Sequence, residues 1–321
     1  MKKKNTKALA FMLSVIMIAT LAGCGGRPEG RTLRISRGIS YGASVQYIMQ
    51  EKKILEKHVP EDVTVEWLQI SSSPEIRDAV VSGRVDLSAM ALPAFITAYE
   101  NGLPLTLLSY NITNPVKIYS NDPAITTIDE FPDTGKIAVL NKSGYITMSF
   151  YAYCKEIMGD ALIYDNLLTP MSEADTIASL QTSKDFSGAV FQFPSLLRAE
   201  RIEHVTLLAD LTDIVEEYGF GSIFFMRSDY YEENPDIAEA YLAAQEEVQQ
   251  FIKDNPEEAA QMLSELFGID ASDILDVLQK MPPHKEVAGY DKQARFMYEI
   301  GILEKEPTKF ADLPNYDKIP K

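Results

Sequence analysis

The sequence predicts a two-lobed α/β protein, each lobe a mainly parallel sheet flanked by helices, with a cleft between the lobes. Three observations carry that expectation. Strands alternate with helices in two separate runs, a third run is entirely helical, and about 290 residues follow the N-terminal segment, enough for two cores of ordinary size.

The first run opens with a short strand predicted at 33–36 (Leu33-Arg34-Ile35-Ser36). Val45, Ile48, Met49 and Leu55 then recur at helical spacing, predicting a helix over 41–55. Residues 63–70 alternate with a period of two and read as a second strand. Ser71-Ser72-Ser73-Pro74-Glu75 reads as an N-cap followed by proline and an acid in the first turn, predicting a helix over 74–82 that stops at Gly83. A strand at 85–90 and a helix at 93–101 complete the run. The second run predicts strands at 136–140, 163–168 and 188–191, with helices at 144–158 and 172–182 between them. In the last third, Ile237, Tyr241, Ala244 and Val248 form an apolar stripe after Asn234-Pro235. A second helix, with Leu263 and Leu266, closes at Gly268, and two more are expected at 274–281 and 291–303.

The N-terminus has its own logic. Lys2, Lys3, Lys4 and Lys7 precede an apolar run from Ala8 to Ala22, shorter than the about 20 residues a spanning helix needs. The run ends in Leu21-Ala22-Gly23-Cys24, which resembles the lipobox of bacterial lipoproteins. That resemblance implies a signal peptide over 1–23, lipid (diacylglycerol and palmitate) on Cys24, and a cell-membrane anchor on the extracytoplasmic side. Residues 24–30 read as a Gly/Pro tether. Without Cys24 only Cys154 remains, so no intramolecular disulfide can form. Flanked by Tyr151, Tyr153 and Ile157, Cys154 reads as a small core residue.

The leader holds four of the 30 Lys and Arg and none of the 47 Asp and Glu, so the mature chain carries a net charge of about −21. That charge makes nucleic acid and anionic lipid surfaces poor partners. It is spread over helical faces such as 232–258, which reads as a solvated surface.

In parallel helix-covered sheets, ligand loops lie at the carboxyl ends of the strands. The candidates are therefore Ser40 and Tyr41, Ser72 and Ser73, Met90 and Ala91, Tyr110 and Asn111, and in the second lobe Asn141, Ser143, Gly144, Tyr145, Gln192 and Phe193. Ser72 with Ser73, and Ser143 with Gly144, fall where helices begin; they either hold a carboxylate, sulfonate or phosphate at the positive helix end or simply cap it. Tyr41, Tyr110 and Tyr145, with Phe and Met nearby, would suit an aromatic or heterocyclic solute, and Arg37 and Lys142 are the nearby cations.

Gly38-Ile39-Ser40-Tyr41-Gly42 also matches the G-x-S-x-G elbow of hydrolases, which raises a secreted serine esterase as an alternative. His204 or His284 could complete the order Ser, acid, His. The elbow, however, normally follows several strands of a larger sheet, and here it follows the first. A surface ligand-sensing module without transport is a further alternative, with no repeats or stalk to favour it. HExxH, paired Cys-x-x-Cys, Walker, GxGxxG and calcium-loop patterns do not occur, so no metal and no cofactor are expected.

Leu33-Arg34-Ile35, Ser71-Ser72-Ser73, Val81-Ser82-Gly83-Arg84-Val85-Asp86, Asn141-Lys142-Ser143-Gly144 and the segment Ala294 to Leu303 occur in a telling order. In that order the chain resembles the substrate-binding proteins of ABC importers in the nitrate, sulfonate, taurine and thiamine-precursor group, over Leu33 to about Leu313. The resemblance implies the type 2 periplasmic binding fold, with one lobe from 31–114 plus 222–321 and an inserted lobe from 115–221. It implies a monomer that captures a small solute, an organic anion such as a sulfonate or a heterocycle such as a thiamine precursor, and delivers it to an ABC permease. Hinges are expected at the crossings 111–116 and 218–222, around Pro115, Gly219 and Gly221. Family members often carry a Trp-bearing stretch where this chain has Phe191-Gln192-Phe193-Pro194, so Phe193 would have to supply the aromatic plate.

Overall fold

A computed structural model describes residues 30–321 except 71–72, 133, 143 and 183–185, together with the side chains of 73 and 74. The expected signal peptide, most of the tether, and the candidates Cys24, Ser72 and Ser143 lie outside the described residues, as does the side chain of Ser73.

The first half supplies strands β1 (Arg31–Arg37), β2 (Val63–Gln69), β3 (Leu87–Ala91) and β4 (Leu105–Ile112). Between them run helices α1 (Ser44–Glu51), α2 (Leu55–His58), α3 (Ser73–Val81) and α4 (Leu92–Glu100). The chain then crosses into β5 (Val116–Ser120), β6 (Lys136–Val139), β7 (Leu168–Pro170), β8 (Phe186–Gln192) and β9 (Thr206–Asp210). Helices α5 (Tyr145–Met158), α6 (Glu173–Thr182), α7 (Ser195–Glu200) and α8 (Thr212–Tyr218) belong to this stretch. It returns as β10 (Ser222–Arg227) and ends in α9 (Ser228–Glu233), α10 (Pro235–Asp254), α11 (Pro256–Phe267), α12 (Ala271–Lys280) and α13 (Tyr290–Glu299).

The strands form two five-stranded sheets, ordered β2-β1-β3-β10-β4 and β7-β6-β8-β5-β9. In each, the single strand that runs against the other four is the one next to a crossing: β10 is antiparallel to β3 and β4, and β5 to β8 and β9. Each of these strands is the first one laid down after the chain passes from one sheet to the other. The mixed α/β architecture with helices on the sheet faces is the one the alternating pattern predicts.

Burial explains which strands could be read from sequence. In β1, Leu33 and Ile35 are buried between partly exposed Thr32 and Arg34, whereas every residue of β4 is buried. A strand covered on both faces shows no alternation, and the largely buried β4, β5 and β10 have no counterpart among the sequence-predicted elements. The mostly exposed β9 has none either.

Two expectations are corrected. The helix expected over 41–55 is a 3₁₀ turn (Tyr41–Ala43) followed by α1 and α2, because Lys53 takes a left-handed backbone (φ 51°) that a helix cannot continue through. The strand expected over 163–168 is only Leu168–Pro170. Ahead of it, Asp160 Oδ1 accepts from the Leu162 amide at 2.9 Å, and Lys142 Nζ donates to the Asp165 carbonyl at 2.9 Å. These bonds hold the backbone in turns.

Strand parity divides the first sheet into two faces. Leu33, Ile35, Leu87, Phe224 and Met226 pack with Val45 and Ile48 of α1 and Tyr241 and Val248 of α10. On the opposite face Leu105, Leu107, Ile223 and Phe225 pack with Val80 of α3 and Phe95 and Ile96 of α4. Among the described residues no helix is long and apolar enough to cross a membrane.

Candidate functional site

A cavity of about 770 Å³ opens at the carboxyl ends of the strands and is walled by loops from both sheets. Its volume falls within the range that holds a small organic molecule, about 300–1,000 Å³. From the first sheet come Gly38, Ser40, Gly42, Met90 and Ala91, and from the second Leu140, Asn141, Gly144, Tyr145 and Gln192. Asn114 and Ser222, from the two crossings, lie between them.

The second-sheet wall is held in place locally. Gly144 is the N-cap of α5, and a Cβ there would sit 2.7 Å from Asn141 Oδ1, so only glycine lets the Asn141 side chain fold back against the helix start. Thr147 Oγ1 donates to the Asn141 carbonyl at 2.5 Å and closes the turn. Tyr145, the first residue of α5, donates its hydroxyl to Gln192 Oε1 at 2.5 Å. Gln192 Nε2 in turn donates to Glu173 Oε1 at 3.2 Å, and Ser195 Oγ donates to the other Glu173 oxygen. Burial, and then the Glu173 carboxylate, push the Tyr145 phenol well above its ordinary value, so it remains a donor at any physiological pH.

Of the sequence candidates, Ser40, Met90, Ala91, Asn141, Gly144, Tyr145 and Gln192 stand on the cavity wall. Tyr41, Tyr110, Asn111 and Phe193 do not, and each is essentially without solvent exposure. Tyr41 turns its ring edge-on to Phe193, with centroids 4.8 Å apart, and Phe267 of α11 lies at 6.2 Å. The expected aromatic plate is therefore core packing that joins the two sheets' loops. Tyr110 donates to the Phe220 carbonyl at 3.0 Å and stacks on His284 at 4.4 Å. Asn111 Nδ2 donates to the Gly42 carbonyl at 2.5 Å and anchors the loop that carries Ser40.

Neither expected cation reaches the cavity. Arg37 Nε donates to Gln50 Oε1 at 2.8 Å, and Lys142 pairs with Asp165 at 3.2 Å. Among the described residues Arg77 of α3 is the only charged residue on the wall. It escaped the sequence reading because it lies one turn into a helix rather than at a strand end. Ser36, Gln46 and Ser88 were missed likewise. Asn114 and Ser222 fall inside the predicted crossings, and that position was the signal that could have found them.

No histidine is found beside Ser40 on the described wall. His58 bonds Glu247 at 2.7 Å, His284 lies against Tyr110, and His204 is exposed. Among the described residues no group of three or more His, Cys, Asp or Glu is placed to hold a metal ion.

No protein-family model and no curated protein matches the chain. Solved structures do. The periplasmic aliphatic sulphonate binding protein of Escherichia coli superposes with a TM-score of 0.72 at 19% identity, over 89% of this chain and 99% of that one. The alkanesulfonate-binding protein of Xanthomonas axonopodis pv. citri, bound to MOPS, gives 0.71 at 15%, over 90% and 98%. The periplasmic nitrate-binding protein of Synechocystis PCC 6803 gives 0.66 at 19%, over 92% and 87%. The chain has the periplasmic-binding-protein fold. In a fold whose two sheets are joined by two chain crossings, the cavity between them is the place where both halves of the chain can touch one molecule at once.

Proposed function

We propose that this chain is the extracytoplasmic receptor of an ABC importer, which captures a small organic solute in the cavity between its sheets and passes it to a membrane permease. The observation that carries the reading is the cavity itself: about 770 Å³, walled by strand-end loops of both sheets and by both crossings. A ligand held on two sides stabilises the closed arrangement, and release to a permease needs only a modest shift in that balance. The lobes are assigned as 31–114 plus 222–321 and 115–221, with hinges at the crossings. The sulfonate- and nitrate-binding neighbours support a solute of similar size, either an organic anion or an aromatic heterocycle. The esterase alternative lacks a histidine beside Ser40 on the described wall.

Thermal shift of the chain from Gly25 against nitrate, taurine, alkanesulfonates and aminopyrimidines tests this. Ligand at about 100 times its Kd should stabilise the fold by about 2.7 kcal/mol and be recovered unchanged. Turnover of a chromogenic ester that disappears in Ser40→Ala, with no stabilisation by any solute, would overturn it.

The same reading makes Cys24 the lipid-bearing residue that keeps the receptor on the outer face of the cell membrane. Radioactive palmitate should label the wild type and not Cys24→Ser, and equal labelling of the two removes the anchor from the proposal.

A further inference from the structure

The cavity does not end between the sheets. It continues into the first half of the molecule, beneath α3 and α4, and this part has a different chemistry. Its floor is the sheet face that carries Ser36, Ser88 and Phe225: Ser36 neighbours Ser88 across the β1–β3 pair, and Phe225 is opposite Ser88 in the β3–β10 register. Its roof is Val80 of α3 together with Ala94 and Ala98 of α4, residues spaced so that α4 turns one small-residue stripe to the space.

The hydroxyls of the floor and of α4 already have partners within the protein. Ser36 Oγ and Ser88 Oγ bond each other at 2.5 Å, and Thr97 Oγ1 donates to the Pro93 carbonyl of its own helix at 3.0 Å. Among the described residues a guest in this part meets mostly methyl and phenyl surface, the polar exceptions beside it being Arg77 of α3 and Asn101 at the end of α4. The interlobe part, by contrast, presents Ser40, Tyr145, Gln192 and Ser222.

We infer that the captured solute is amphipathic, with a hydrogen-bonding head between the sheets and an alkyl or aryl part inserted under α3 and α4. This rests on the receptor reading and narrows it. Small polar solutes without such a part leave the apolar space unfilled, and the hydrophobic gain is about 0.8 kcal/mol for each methylene buried. At about 1.4 kcal/mol per tenfold, that corresponds to roughly a fourfold tightening per methylene.

The test titrates the chain from Gly25 with two homologous series, n-alkanesulfonates and n-alkylamines of one to eight carbons, by calorimetry. In whichever series binds, Kd should fall about fourfold per methylene until the space is filled. Ala98→Phe, which places a ring in the roof, should flatten that dependence, with the longest homologues losing most. Ala94→Leu is the second variant should the first fail to fold. A Kd independent of chain length, or an unchanged slope in a folded roof variant, overturns the inference and leaves the receptor standing. If a solute from the broader panel binds while neither series does, the apolar extension again falls alone. If nothing in the panel or in either series binds, the receptor reading falls with it.

Discussion

Tyr41→Ala is expected to lower the stability of the fold by about 3–5 kcal/mol, the range for deleting a fully buried large aromatic side chain. Tyr41 follows the first strand, where sequence reasoning puts a ligand contact, yet it has no solvent exposure and its ring lies against Phe193 and Phe267. Truncation would open a void where the first loop, the loop after β8 and α11 meet. Among the described residues the buried phenol oxygen has no hydrogen-bond partner, and an unpaired buried hydroxyl costs about 1–3 kcal/mol. Tyr41→Phe should therefore be at least as stable as wild type. Urea unfolding followed by circular dichroism checks both variants. A Tyr41→Ala midpoint equal to wild type would mean that the ring is not part of the core.

Gly221→Ala should cost about 1–3 kcal/mol, the usual penalty for forcing an extra carbon into a packed site. A Cβ at position 221 would lie 1.8 Å from Tyr110 Oη and 2.8 Å from the Ile112 carbonyl oxygen. Neither neighbour can yield. Ile112 O belongs to β4, and Tyr110 is fixed by its bonds to Phe220 O and Thr113 Oγ1, both 3.0 Å, and by the His284 ring. Adding Tyr110→Phe removes the nearest clashing atom, so the double variant should lose less than the sum of the two single losses, as contacting residues do. Strict additivity in thermal unfolding would show that the crossing is not packed against Tyr110. The same close packing limits where a hinge can bend, since any rotation at 219–221 has to carry Tyr110 with it.

Much of the architecture was legible because it is local. Gly83 stops α3 with φ +71°, Gly268 stops α11 with φ +65°, and Asn234-Pro235 opens α10 where the apolar stripe begins. Each of these follows from the backbone preferences of one or two residues. The inner strand β10 and the edge strand β4 were not legible because neighbours on both faces bury them, which erases the period of two that marks a half-exposed strand.

The order of elements placed the right loops near the cavity, since strand ends in helix-covered sheets converge whatever their sequence. Which side chains of those loops face the cavity was decided elsewhere. Ser40 and Tyr41 are adjacent, yet one stands on the wall and the other is sealed against Phe193 and Phe267, more than 150 residues away in sequence. Asn111 likewise looks like a ligand contact until its amide is found on the Gly42 carbonyl. Arg77 reaches the wall because α3 packs beside the sheet in one rotation and not another. By itself the sequence determined the strand and helix order and the loops available. The tertiary structure decided which way each loop residue points, because that direction is set by packing against partners distant in the chain.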